Sequence, residues 1–274
     1  MTEASESRMN RRISICGKGG SGKSTVVALL TEELAARDRR VIVVDSDESN
    51  ACLHWMLGFE RPPRPLLELV GGKKNVQRQM RKTYSDGEDV DMTVLSRPEL
   101  GVGDLPADYV VESDGRVLVT VGKIHQSLEG CACPMGVLSR EFLKKLRLAD
   151  DEMLIVDMEA GIEHFGRGVE TSLDAVAAVV EPSLESLALA EKVQQLASQA
   201  GANFAGAIVN KVPSAEVAAA LNAELASRQV PTLGTIAYHE ELFAACLAGR
   251  RVELSGDAVA GIVDRLLEPH SKAG

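Results

Sequence analysis

RRISICGKGGSGKST, from Arg11 to Thr25, is the stretch that decides the fold. It opens as a short apolar strand and passes into a glycine-rich loop. The residues after it, Ser24–Arg37, space Val27, Leu30 and Leu34 as one face of a helix. Gly17-Lys18-Gly19-Gly20-Ser21-Gly22-Lys23-Ser24-Thr25 matches G-x-x-x-x-G-K-[ST], and it sits between a strand and a helix, as that pattern requires. Glycines let backbone N–H groups curl around phosphate oxygens, and the positive end of the following helix points at the same anion. Lys23 brings a charge to the β- and γ-phosphates, and Ser24 offers a hydroxyl to Mg²⁺. The loop therefore predicts binding and hydrolysis of ATP.

Working outward, VIVVD (Val41–Asp45) is a second strand, apolar on both faces as a central parallel strand must be. MLIVD (Met153–Asp157), AVAAVVEP (Ala175–Pro182) and FAGAIVN (Phe204–Asn210) repeat the pattern, and TLGTIAY (Thr232–Tyr238) is a weaker version of it. Helical patterns cover Leu184–Ala200, Ala215–Ser227, Glu240–Ala248 and Ala258–Leu267. Alternating strands and helices predict an α/β fold, a mostly parallel sheet with helices on both faces. Residues 11–270 read as a single domain behind a frayed, disordered tail at 1–10. The stretch Gly58–Leu118 reads as an insertion, with DMTVL (Asp91–Leu95) and RVLVTV (Arg116–Val121) as its clearest strands. Within it, KKNVQRQMRK (Lys73–Lys82) places Lys74, Arg78 and Arg81 or Lys82 on one helix face. That face is either solvated or a docking patch for an acidic partner.

Composition narrows the function. Of 274 residues 45% are hydrophobic but only 3% aromatic, so Val, Ile, Leu and Ala must fill the core. No apolar run reaches about 18 residues and the polar N-terminus lacks a secretory pattern, so a cytoplasmic protein is expected. The net charge of −10 argues against general binding to nucleic acid or to anionic membrane. Five cysteines in such a chain are buried thiols or ligands, not a disulfide framework.

The early lysine of the loop adds a further expectation. KGGSGKST resembles the deviant Walker A loop of the MinD/ParA/nitrogenase-iron-protein superfamily. In that superfamily the lysine equivalent to Lys18 reaches across a dimer interface to the partner's nucleotide. The resemblance implies a nucleotide-sandwiched homodimer in which Lys18 acts in trans like an arginine finger. Asp45-Ser46-Asp47 is similar to the superfamily's first switch, which gives Asp47 the role of orienting the attacking water and places Asp45 near Mg²⁺. Glu48 stands where the superfamily usually has proline. Asp157-Met158-Glu159-Ala160-Gly161 resembles the strand end and second switch: Asp157 would hold Mg²⁺, and Gly161 would let the backbone approach the γ-phosphate. Asn210-Lys211 resembles the base-recognition position, where an Asn amide offers adenine a donor and an acceptor. Ile236-Ala237-Tyr238-His239 resembles a late base-flanking loop at two of four positions and receives no role.

Cys131-Ala132-Cys133 addresses what the ATPase serves. Two thiols in C-x-C can share one soft metal, or be buried or redox cysteines; as ligands they fill half a tetrahedral site, and a two-fold axis would complete it. GKGGSGKST, GCACP, VDMEAGIEHFGRG, VVEPS and VNKV, in that order, resemble the CooC family of nickel-insertion ATPases, from Ile13 to about Gly249. The resemblance implies that Cys131 and Cys133 bind Ni²⁺ or Zn²⁺ between two protomers, with apo carbon monoxide dehydrogenase, or acetyl-CoA synthase, as client. His164 reads as structural, and Cys16, Cys52 and Cys246 as core thiols. Two rival readings are a MinD/ParA-like positioning ATPase and an iron–sulfur redox ATPase like the nitrogenase iron protein. A third is a metal-storing dimer with vestigial nucleotide binding.

Overall fold

The computed structural model describes residues 10–85, 95–123, 133–162, 172–254 and 256–268, with the side chains of residues 81–85 and 133 excepted. Its order begins β1 (Arg12–Gly17), α1 (Lys23–Ala36), β2 (Arg40–Asp45), α2 (Leu53–Met56), α3 (Leu66–Leu69) and α4 (Lys73–Ser85). A hairpin follows, β3 (Val111–Ser113) and β4 (Arg116–Thr120), then α5 (Cys133–Lys145), β5 (Glu152–Asp157) and β6 (Ala175–Val180). The chain continues through α6 (Leu184–Gln199), β7 (Asn203–Val212), α7 (Ala215–Ser227), β8 (Thr232–Ala237), α8 (Glu240–Leu247) and α9 (Asp257–Leu267).

The strands form one sheet in the order β3-β4-β2-β5-β1-β6-β7-β8. Every pairing is parallel except that of β3 with β4. This is the predicted α/β architecture. β4, which corresponds to RVLVTV, one of the two strands expected in the stretch 58–118, is a full member of that sheet, paired in parallel with β2. DMTVL lies outside the described residues except for Leu95, which is in a bend.

Alternation explains why both faces of the sheet are covered. Val41 and Val43 of β2 pack in one core with Val26, Leu30 and Leu34 of α1 and Ile262 of α9. Ile42 and Val44 pack in the opposite core with Leu138 and Phe142 of α5 and Leu187 of α6. Each such buried aliphatic side chain contributes roughly 1.5–3 kcal/mol. The scarcity of aromatics leaves Phe142 as the largest fully buried side chain among the described residues. α4 packs on α5 and buries Val76, while Lys74 and Arg78 stay exposed. Cys16 is fully buried as expected; Cys52 and Cys246 are only half-buried, because each sits at the edge of a helix that borders solvent. Burial pushes the Cys16 thiol up to about 12, so it stays protonated.

β1 lies between β5 and β6, and the chain leaves it toward β2 on one side while β6, β7 and β8 extend on the other. Ligands of open α/β sheets bind at such a reversal, outside the C-terminal strand ends. Gly17, Asp45, Asp157 and Asn210 all lie at or near those ends.

A candidate nucleotide site at the strand ends

The glycine-rich loop is shaped by its neighbours. Gly17 has φ +147, and a Cβ there would lie 2.6 Å from the carbonyl oxygen of Val179 in β6, so only glycine fits. Gly161 N–H donates to Gly17 O at 3.2 Å, which ties the segment after β5 to the start of the loop. At its far end the loop turns into α1 through Gly22 in the left-handed region, with no side chain capping the helix and no acidic residue in its first turn. The first amides of α1 thus remain available to an anion. Lys23 is buried and its Nζ lies 3.4 Å from Lys18 O, so its charge sits over the loop.

Asn210 and Lys211 brace this loop from outside. Asn210 Nδ2 donates to Ser21 O at 2.9 Å, and Lys211, at φ +58, donates from Nζ to Gly20 O. The predicted base-recognition pair thus lies against the loop, with its amide group already engaged there.

The three predicted carboxylates come together. Asp45 and Asp157 are register partners at the ends of adjacent strands β2 and β5. Ser24 Oγ donates to Asp157 Oδ2 at 2.6 Å and accepts from Asn50 Nδ2 at 2.7 Å. Asp157 Oδ1 is buried without a hydrogen-bond partner, and so is Ser21 Oγ. A buried carboxylate oxygen left unpaired beside a serine hydroxyl is a hard-oxygen environment that suits Mg²⁺. Asp45 is engaged differently: Oδ2 lies 2.6 Å from Lys123 Nζ, and Oδ1 accepts from Asp47 N–H at 3.2 Å. Asp47 Oδ1 accepts from the amide of Ser49 at 2.9 Å and from its hydroxyl at 2.6 Å.

Lys18 points away from its own loop toward α6. Its Nζ lies 2.9 Å from Glu185 and 3.4 Å from Glu181, and hydrogen bonding to Glu185 raises its pKa. It lines an open cleft of about 480 Å³ with Gly19, Ala160, Gly161 and Leu189. Lys123, Asn50, Glu181, Glu185 and Ser139, which meets Ser46 at 2.8 Å, were not singled out from sequence. Only Glu181 lies in a quoted motif, VVEPS, which gave it no role, and each reaches the site through a long-range contact. Cys131 and His164 lie outside the described residues; of Cys133 only the backbone is described, as the first residue of α5. No cluster of three or more metal-ligating side chains occurs among the described residues, and no helix there is long and apolar enough to cross a membrane.

Burial pushes the Asp45 carboxyl up to about 7, against the lowering effect of Lys123, and the Asp157 carboxyl up to about 6, against the Ser24 hydrogen bond. Carboxyls raised in the folded state lose stabilising protonation as pH climbs from their ordinary value near 4 through the folded value. Apo protein is therefore expected to lose stability from about pH 4 to about pH 7 through these groups. His54, whose pKa burial lowers, acts in the opposite sense below about pH 6.5, so the decisive quantity is a difference. Denaturant titrations should show wild type losing stability relative to Asp45→Asn across that range. A constant difference would contradict the raised Asp45.

The model of the CobQ/CobB/MinD/ParA nucleotide-binding domain family matches residues 13–252. An uncharacterized ATP-binding protein of Methanocaldococcus jannaschii is 47% identical over 73% of this chain and 78% of its own length. The carbon monoxide dehydrogenase accessory protein CooC of Rhodospirillum rubrum is 32% identical over 87% of this chain and 88% of its own. Among solved structures, the Mg-ADP complex of the septum site-determining protein MinD from Pyrococcus horikoshii aligns with TM-score 0.65 at 20% identity, covering 93% of this chain and 94% of that one. The cell division ATPase MinD of Pyrococcus furiosus aligns with TM-score 0.62 at 20% identity over 93% and 98%. At that identity the two structures speak for the fold alone.

Proposed function

The chain belongs to the CobQ/CobB/MinD/ParA nucleotide-binding family and is an ATPase, and we propose that it is a metallochaperone whose ATP-driven dimerisation governs nickel binding and delivery. The observation that carries this reading is the extent of the similarity to the carbon monoxide dehydrogenase accessory protein. A match over 239 of 274 residues must run through the middle of the chain, where GCACP stands. The cargo is Ni²⁺, or Zn²⁺ in its place, held by Cys131 and Cys133 of two protomers. The client is apo carbon monoxide dehydrogenase or acetyl-CoA synthase.

The site's own residues suit the ATPase half of this cycle. The loop amides and Lys23 bind the phosphates, and the Asn210–Lys211 corner borders the nucleotide. Ser24 and Asp157 would hold Mg²⁺, with Asp45 beside Asp157 on the neighbouring strand. Bound Mg²⁺ neutralises charge on the phosphates. Asp47 orients the attacking water. Lys18 exchanges its two glutamates for the partner's nucleotide. Those ion pairs are partly exposed, and Glu185 is 76% exposed, so they are weak enough to give up. Dimer closure is favoured by ATP because the γ-phosphate has a second lysine only in the closed state.

Nickel titration tests the cargo. Wild type is expected to bind nickel tightly, and Cys131→Ala/Cys133→Ala to lose at least about 100-fold in affinity, as removal of both thiolate ligands that each protomer gives the site demands. Equal tight binding by both would reject the cysteines as ligands. A broad visible absorption in anaerobically purified protein would favour an iron–sulfur cluster at the same pair.

A further inference from the structure

The loop Asp45-Ser46-Asp47 is held residue by residue, and most of its grips come from one stretch of chain. Lys123 Nζ meets the Asp45 carboxylate at 2.6 Å and also donates to the backbone carbonyl of Asp47. Ser46 Oγ meets Ser139 Oγ of α5 at 2.8 Å. The lysine is itself well anchored. Val121 N–H donates to Asp45 O at 3.0 Å, extending the β2–β4 pairing to within two residues of it. Gly122 lies so close to α5 that a Cβ would stand 2.6 Å from Met135 Sδ. The Lys123 side chain is only 14% exposed. A lysine that only balanced the Asp45 charge would need no contact with Asp47, whereas here the same ammonium spans both residues.

We propose that Lys123 is a positioning residue for ATP hydrolysis, its ammonium clamping Asp45 and Asp47 together so that the Asp47 carboxylate is fixed at the phosphate end of the site. Ser139 is the lesser half of the same clamp. The proposal rests on the reading of Asp47 as the residue that orients water. Lys123 and Ser139 lie on either side of the Cys131–Cys133 pair in sequence, so the clamp joins the first switch to the connection that carries the pair.

A small displacement of a water-orienting group costs turnover without costing binding. Steady-state kinetics of Lys123→Met, Asp47→Asn and the double variant test the clamp. Lys123→Met is expected to lower kcat about 10- to 100-fold and to leave KM for ATP within about twofold. In the Asp47→Asn background the same change is expected to cost nothing further, because both act through one carboxylate. Lys123→Arg, which keeps both donors, should recover part of the loss. Hydrogen exchange at the Ser49 amide should quicken in Lys123→Met with no nucleotide present. If Lys123→Met does not fold, Lys123→Gln, which is shorter and carries no charge, and Ser139→Ala carry the same comparison. Full turnover by Lys123→Met beside a slow Asp47→Asn would overturn the clamp alone. Losses that multiply in the double variant would overturn it too. Full turnover by Asp47→Asn would overturn the reading of Asp47 and the clamp with it.

Discussion

Lys23→Ala is expected to abolish ATP turnover, by about 1,000-fold or more, while the protein stays folded. Removing one preorganised donor to a developing oxyanion already costs about 10²–10³ in rate, and Lys23 supplies a full charge where the phosphates bear most of theirs. The fold should tolerate the change. Among the described residues Lys23 makes no ion pair, and its one hydrogen bond, to Lys18 O, is long at 3.4 Å. Alanine is also the best helix former for the first turn of α1. Phosphate release and thermal unfolding measured on one preparation check both halves. A variant that keeps a tenth of wild-type turnover would show that the phosphates do not sit in this loop.

Lys18→Gln is expected to separate binding from turnover. A charge supplied in trans to a phosphoryl-transfer site is worth about 10³–10⁵ in rate. ATP should still bind each protomer, because the loop amides and Lys23 are intact. Turnover should fall at least about 100-fold and lose its dependence on protein concentration. Lys18 now rests on Glu181 and Glu185, so Glu185→Gln should act in the opposite direction, freeing the lysine and lowering the protein concentration needed for the dimer. Fluorescent-nucleotide binding and turnover over a range of protein concentrations read both effects. Wild-type turnover in Lys18→Gln would place the lysine outside the reaction.

The parts of this site legible in the sequence are those that local pattern controls. Continuous apolar runs such as VIVVD and MLIVD end in Asp45 and Asp157, and parallel pairing puts both side by side at the C-terminal ends of the strands. The strand–loop–helix around Lys23 is equally local. What could not be read arises from contacts distant in the chain. Nothing near Lys123 signals a cation; its role appears only when β4 pairs with β2 and brings the lysine to Asp45. Asn50 follows a polar loop with no periodicity, yet it reaches Ser24. The Asn210 amide was readable as a polar group at a strand end, but its attachment to Ser21 O depends on how close β7 brings it to the loop. Lys18 shows the limit most clearly: the motif announces an unusual lysine, and only the fold supplies the two glutamates that hold it in the single chain.

Nucleotide, dimer and metal are coupled in this protein's proposed cycle, and one measurement reads all three. Light scattering coupled to metal analysis should be run on protein with ADP or a non-hydrolysable ATP analogue, each with and without nickel. Monomer is expected with ADP alone, and dimer with the analogue and nickel together, carrying one nickel per two chains. Cys131→Ala/Cys133→Ala should give a dimer with the analogue that carries no nickel. Nickel bound one per chain, in equal amount with either nucleotide and with no change in mass, would contradict that coupling.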